Sequence, residues 1–179
     1  MKKINVALIS SVFAVLSLGI SIYIYISQPK VAFVHVQEVY NDFEYKKELE
    51  VKFEAVRTSR NRILDSLEIQ INVLATNIQN SEVNKELNMQ NYQYLLTEYQ
   101  SKQKTFTEDN QAVSKKYTDQ IWNQLNKYIE EFGEINGYDF IHGADGSGTV
   151  MYANKKHNIT DQLKDFVNER YQGGKLDEK

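Results

Sequence analysis

Residues 139–154 read "DFIHGADGSGTVMYAN", two short apolar runs around a loop that holds Gly143, Gly146 and Gly148. A glycine loop after a strand has two readings. It can cradle phosphate, or it can turn a hairpin. A phosphate cradle needs a helix opening directly after the glycines, with its first N–H groups aimed at the anion. Here the glycines run into "TVMYA", which is β-branched and extended, and no Gly-Lys-Ser/Thr follows. The stretch therefore predicts a strand over 138–142, a turn over 143–148 and a second strand over 149–153, with the glycines supplying positive φ. After it, "NITDQLKDFVNERY" predicts a short amphipathic helix. Thr160 or Asp161 is expected to cap it, and Leu163, Phe166, Val167 and Tyr171 form its apolar face.

Upstream the chain changes character. From Lys30 to Phe132 there is neither proline nor glycine, so no strong breaker interrupts it. "KVAFVHV", 30–36, is a β-branched apolar run and predicts a short buried strand. Then Val39, Phe43, Leu49, Phe53, Val56, Ile63, Leu67, Leu74 and Ile78 recur mostly at three- and four-residue steps or their multiples. Phe106, Val113, Tyr117, Ile121, Leu125, Tyr128, Phe132 and Ile135 repeat the pattern. These are narrow coiled-coil-like seams. Between them lies "NIQNSEVNKELNMQN", whose Asn77, Asn80, Ser81, Asn84, Asn88 and Asn91 offer the backbone alternatives to helix. A turn within 78–91 would fold the chain into two antiparallel limbs, each about 60–75 Å long at 1.5 Å per residue. Gly133 and Gly137 end the second limb.

The first 29 residues are different again. No charge occurs from Ile4 to Gln28, enough length for a helix to cross a bilayer. Residues 4–27 are read as an inner-membrane anchor, with Lys2 and Lys3 on the cytoplasmic side and Tyr23 and Tyr25 at the outer interface. The alternative is a signal segment cleaved after Ser17-Leu18-Gly19, which would leave the protein soluble. Either way, residues 30 onward are exported.

Composition narrows the chemistry. The 179 residues include no cysteine, which removes disulfides, thiolate catalysis and cysteine-ligated zinc. The net charge of −3 gives no sign of a nucleic-acid binder. His35, His142 and His157 are scattered without carboxylate partners, so no metal or other cofactor is expected. Arg57, Arg60 and Arg62 are the one compact basic cluster and are read as a solvated face. Asn158-Ile159-Thr160 has the form of a glycosylation acceptor but is more simply a helix start, and Glu130 and Glu131 are a helix end. No nucleophile–base arrangement is visible, and the chain is read as a non-enzyme.

"KVAFVHVQEVYNDFEYKKELEVKFE" resembles the opening of the Skp (OmpH-like) periplasmic chaperones, with Val39-Tyr40-Asn41-Asp42-Phe43 matching their short-acid-aromatic pattern. "GYDFIHGADGSGTVMYANKKHNITDQL" resembles that family's closing segment. The resemblance implies an α+β fold: a small β-sheet body, shared as a barrel in a homotrimer, from which a long antiparallel helical hairpin hangs. The N-terminal transmembrane helix precedes it. The expected organisation is an anchor over 1–29, a first strand over 30–37, a hairpin arm over 38–136, a β-hairpin and helix over 137–172 and a disordered tail over 173–179. Val31, Phe33, Val34, Val36, Phe140, Ile141, Val150, Tyr152, Leu163 and Phe166 are expected in the trimer body. A lone hairpin with thin seams and short strands has too little core to stand alone, which also points to oligomerisation.

The resemblance further implies a holdase that keeps unfolded outer-membrane or exported proteins between the arms without ATP. Ile71, Leu74, Ile78, Val83, Leu87, Met89, Tyr92, Tyr94, Leu95, Leu96 and Tyr99 exceed what a narrow seam needs, and of these Ile71, Leu74, Ile78, Leu87, Met89, Tyr92, Tyr94 and Tyr99 are the candidate client contacts. The competing reading is a membrane-anchored trimeric scaffold within an envelope or secretion complex. An efflux-pump adaptor is set aside, because only about seven residues separate Pro29 from helix and no flanking β domains fit there.

Overall fold

The computed structural model describes the backbone of residues 6–80, 83–146, 148 and 150–177, with side chains described within 13–174 of these. The order is α1 (Val6–Ile26), β1 (Val31–His35), α2 (Val36–Asp42), α3 (Glu44–Asn80), α4 (Lys85–Asn136), β2 (Phe140–Ala144), a single 3-10 turn (Lys155–His157) and α5 (Thr160–Asp177). Helices α3 and α4 form the long hairpin, and the two strands with α2 and α5 form a body at its base.

The body closes around the side chains that the apolar steps bring together. Ala32 and Val34 from β1, Val39 from α2, Phe43, Leu49 from α3, Leu125 and Phe132 from α4, and Leu163 and Val167 from α5 are all buried in one cluster. Phe43 is the corner. It is fully buried and extended at φ −66° and ψ 119°, and it separates α2 from α3. Its ring meets Tyr45, Tyr128 and Tyr171 edge-on, with centroids 6.0, 6.2 and 5.9 Å away. Asn168 of α5 secures the corner: its side-chain carbonyl accepts from the Glu44 N–H at 2.9 Å, which caps α3.

The chain turns at the tip between Asn80 and Lys85, with Asn84 in the left-handed region at φ 59°. At the other end of α4, Gly137 takes φ 66° and its N–H donates to the Glu134 carbonyl, while the Tyr138 N–H donates to Gly133. That pair of bonds is a Schellman closure, which needs a residue without Cβ strain at this position.

Several expectations are corrected. The segment 138–153 does not form a β-hairpin. β2 pairs in parallel with β1, in the register Val31–Phe140 to His35–Ala144, and Val150 to Ala153 belong to no strand. The Lys30 carbonyl accepts from the Asp139 and Phe140 N–H groups, which steers β2 onto β1 as it leaves α4. The whole arm serves as the crossover that parallel strands require. The glycines do supply positive φ, at Gly146 (80°) and Gly148 (103°), but in a loop rather than a two-strand turn. Val36 opens α2 instead of ending β1. The helix expected to run unbroken from 38 to the tip breaks at Phe43. Asn158, not Thr160 or Asp161, caps α5, its side-chain oxygen accepting from the Thr160 N–H at 2.9 Å and from the Thr160 hydroxyl at 2.5 Å. Helix α5 runs on to Asp177 through residues expected as a tail, held at Tyr171 and Gln172 by Glu48 and Glu44 of α3. Val56, Ile63 and Ile135 are exposed rather than in a seam. A single chain does bury β1, contrary to the expectation that it lacks a local core; β2 is left half covered.

Residues 1–5, Ser81, Glu82, Ser147, Thr149 and 178–179 lie outside the described residues, so the expectations placed on Lys2, Lys3, Ser81 and Thr149 are untouched. Helix α1 carries no charged residue. Among residues with described side chains no helix is long and apolar enough to cross a membrane; in α1 these begin only at Phe13.

Candidate functional site

The limbs of the arm are joined by few apolar residues. Leu67 and Ile71 are buried between them, and nearer the body Arg60 reaches across to Asp109 at 3.1 Å and Asn110 at 2.5 Å, lying over the Phe106 ring. Arg60 is therefore a tie between limbs and not part of a solvated basic face. Arg57 pairs with Glu54 on its own helix at 3.1 Å.

Outside the seam, toward the tip, lies an apolar groove of about 390 Å³ lined by Ile69, Gln70, Val73, Leu74, Asn91, Tyr94 and Leu95. Its walls are open: Ile69, Val73 and Tyr94 are 64, 53 and 69% exposed. Helix geometry places them there. At about 100° per residue, Leu74 and Gln70 lie on one flank of the seam set by the buried Leu67 and Ile71, and Val73 and Ile69 lie beyond them on the same side of α3. Ile69 and Val73 then stand one turn apart on one face, and Tyr94 and Leu95 flank them from the other limb. The sequence reading missed Ile69 and Val73. The signal was available, because they are apolar residues that interrupt the three- and four-residue step.

Of the cavities that lie lower, two border the body. One of about 420 Å³ opens between the limbs near the body and is lined by Tyr40, Leu49, Phe53, Tyr117 and Ile121, with Glu50 and Glu54 at its rim. Both carboxylates are already paired, Glu50 to Lys46 at 2.8 Å and Glu54 to Arg57. The other, about 260 Å³, lies on the outer face of the sheet against Val31, Phe33, His142, Val150, Tyr152 and His157.

Residues 30–166 match the model of the family described as outer membrane protein (OmpH-like). The chain belongs to the OmpH-like family. Its fold is similar to the crystal structure of a candidate outer membrane chaperone (OmpH-like) from Caulobacter crescentus, with a TM-score of 0.59 and 17% identity over 80% of this chain and 86% of that one. No curated protein matches the chain.

The OmpH-like body holds the expected body residues in unequal states. Phe33, Val34 and Leu163 are buried, and Val36, Ile141, Val150 and Phe166 are half-buried. Val31 and Phe140 are partly open to solvent, and Tyr152 is 86% exposed. Of the candidate contacts on the arm, Ile71 is buried in the seam, Leu74, Ile78, Tyr92 and Tyr99 are half-buried, and Leu87, Met89 and Tyr94 are exposed. Only Leu74 and Tyr94 among them line the distal groove.

Among the described residues, Tyr128 and Lys164 of the body have displaced pKa values. Burial raises the Tyr128 phenol above its usual value, against a hydrogen bond to Gln124 that lowers it. Hydrogen bonds to Asp161 and then Asp42 hold the Lys164 ammonium above the ordinary lysine range, and this contact ties α5 to α2. Neither group faces the distal groove.

Proposed function

We propose that this OmpH-like chain is a holdase chaperone that binds unfolded outer-membrane or other exported proteins in the periplasm, without ATP and without enzymatic chemistry. The observation that supports the reading is the open apolar groove of Ile69, Val73, Leu74, Tyr94 and Leu95, formed jointly by both limbs of the arm. Apolar contact is non-directional and therefore tolerant of sequence, which suits a binder of many unfolded chains. Exposed Leu87 and Met89 extend the apolar surface toward the tip.

A homotrimer is part of the proposal. The sheet has two strands, and β2 is an edge with exposed Phe140 beside it and exposed Met151 and Tyr152 in the following loop. An open edge with apolar neighbours invites pairing with another copy. Three arms around a common body would enclose a cavity lined by three grooves. Residues 4–27, uncharged throughout, are proposed to anchor the trimer in the inner membrane.

The fragment from Lys30 onward tests this. It should scatter light as a trimer and suppress aggregation of an unfolded β-barrel protein at about one trimer per client. A folded trimer with no effect on any unfolded client would leave the anchored scaffold as the better reading. Anchoring is read separately, from whether the full chain resists alkaline extraction from membranes.

A further inference from the structure

The end of the chain that enters the body is fixed with unusual thoroughness. Lys30 follows α1 by only Ser27, Gln28 and Pro29. Its N–H donates to the Asp139 carboxylate at 2.6 Å, and its ammonium donates to the Asn136 carbonyl at 2.7 Å and lies 4.1 Å from the centre of the Tyr138 ring. Its carbonyl accepts from Asp139 and Phe140. Asn136 is the last residue of α4, and the Schellman bonds around Gly137 occupy the carbonyls of Gly133 and Glu134, not that of Asn136. The Lys30 ammonium takes the Asn136 carbonyl, at the negative end of a helix of 52 residues.

From this point the contacts with α4 climb toward the tip, apart from a step back where the Phe43 corner meets Tyr128. Lys30 sits level with Asn136; Tyr40 stacks on Trp122 at 4.8 Å; Phe53 meets Tyr117 at 6.4 Å; Arg60 holds Asp109; Val73 and Leu74 share a groove with Tyr94 and Leu95. β1 thus runs from its end nearest α1 in the direction of the arm. The attachment point and the tip lie at opposite ends of α4, about 76 Å apart at 1.5 Å per residue. A three-residue tether spans at most about 10 Å.

We propose that Lys30 is a positioning residue, clasping the C-terminal end of α4 so that the arms project away from the bilayer and hold clients on its far side. The inference rests on the anchored chaperone reading above and specifies where that chaperone presents its groove. Charge agrees with it. Residues 30–136 carry 13 Lys and Arg against 17 Asp and Glu, so anionic headgroups do not draw the arm down onto the membrane.

The absence of cysteine allows a direct test. Full-length Gln90→Cys, near the tip, and Ile135→Cys, near the root, are labelled with a donor dye in proteoliposomes that contain headgroup-labelled acceptor lipid. Strong energy transfer is expected at residue 135 and little at residue 90. Comparable transfer at both sites would mean that the arms lie along the membrane and would overturn the proposal. In the Lys30→Met background the tip signal should rise while the trimer and its aggregation suppression persist. An unchanged tip signal in that variant would remove Lys30 from the role. A flexible insertion between Gln28 and Pro29 should likewise bring the two signals closer. Failure of the chaperone reading shows elsewhere, as lost aggregation suppression by the unlabelled protein with the orientation signals intact.

Discussion

Replacing Phe43 by alanine removes the side chain at which α2, α3, α4 and α5 meet. The ring is fully buried and touches Tyr45, Tyr128 and Tyr171. Removing a buried phenylalanine costs about 3–5 kcal/mol, through lost transfer free energy and the cavity that remains. The edge-on ring contacts, each ~0.5–1.5 kcal/mol beyond area, push the expected value to the upper half of that range. About 4 kcal/mol is a large share of the ~5–15 kcal/mol that holds a domain together. With a urea slope near 2 kcal/mol per molar, the unfolding midpoint should fall by roughly 2 M. The assay is urea unfolding of the fragment from Lys30, followed by circular dichroism at fixed protein concentration, because dissociation of an oligomer is coupled to unfolding. Phe43→Leu, which restores part of the volume but not the ring contacts, should lose less than Phe43→Ala while remaining clearly destabilised. A midpoint shift below ~0.5 M for Phe43→Ala at unchanged slope, equivalent to about 1 kcal/mol, would refute the view that the body is closed around this corner.

Other positions give independent checks. A Cβ on Gly143 would lie 2.5 Å from the Val36 Cγ2, so Gly143→Ala should lose about 1–3 kcal/mol by crowding β2 against α2, and adding Val36→Ala should restore much of it; full additivity of the two in a denaturation cycle would contradict the contact. Val73→Asp puts a charge into the distal groove without touching the body, so aggregation suppression should weaken while the melting curve and the trimer stay as they were. Because Asp161 and Asp42 raise the folded-state pKa of Lys164, its contribution is complete below the ordinary lysine pKa of about 10.4 and is lost as pH rises through the higher folded value; alkaline titration of wild type against Lys164→Met should show that extra loss only in the wild type. Amide exchange read by mass spectrometry should be slow around Ile121, Leu125 and Phe132, which are buried, and fast from residue 77 through the described tip residues to 91, where no side chain is buried; equal protection in both regions would show a tip more tightly held than its packing.

The long helices, the tip and the alternation of apolar residues were legible because they are local. Helical spacing marked Leu67, Ile121, Leu125 and Phe132 as inward, and they are buried. Gly137 read as a helix end and is one. What failed was non-local. The glycine loop at 143–148 carries a hairpin pattern, yet β2 has a better partner in β1, more than a hundred residues earlier, delivered by the arm itself. No local pattern records that. The break at Phe43 was invisible for a similar reason. It is enforced by the aromatic rings of α4 and α5 and by Asn168, not by a proline or glycine in the segment. Asn158 was placed at the start of the helix, but the cap was assigned to Thr160 or Asp161, which are also capping residue types. The structure uses Thr160 differently, its hydroxyl accepting from the His35 N–H at 2.9 Å to tie α5 to the end of β1. In the groove, Tyr94 was legible as surplus aromatic surface. Ile69 and Val73 were hidden among the polar residues of α3.

The same sparse packing that makes the arm simple to read also bears on how a holdase could let go. The apolar side chains of the body are concentrated at one end, while among the described residues of the distal arm Leu67 and Ile71 are buried and Ile69, Val73 and Tyr94 stand in the open. A groove of this size, flanked by Gln70 and Asn91, offers a client segment a few apolar contacts and little charge. At ~25 cal/mol per Å² of apolar area removed from water, a few exposed side chains give only a few kcal/mol, much of which is spent on ordering the client. A single groove is then a weak and quickly reversible site. In the proposed trimer, three of them facing one cavity would raise retention through effective concentration without strengthening any one contact. Release needs no nucleotide in such a scheme, because folding of the client withdraws its apolar segments one at a time and each lost contact multiplies the off-rate. A denser apolar surface would hold clients more tightly but would also make the arm aggregate with its own copies. The Asn- and Gln-rich sequence between the apolar positions keeps the patches small and separate, which is consistent with both demands.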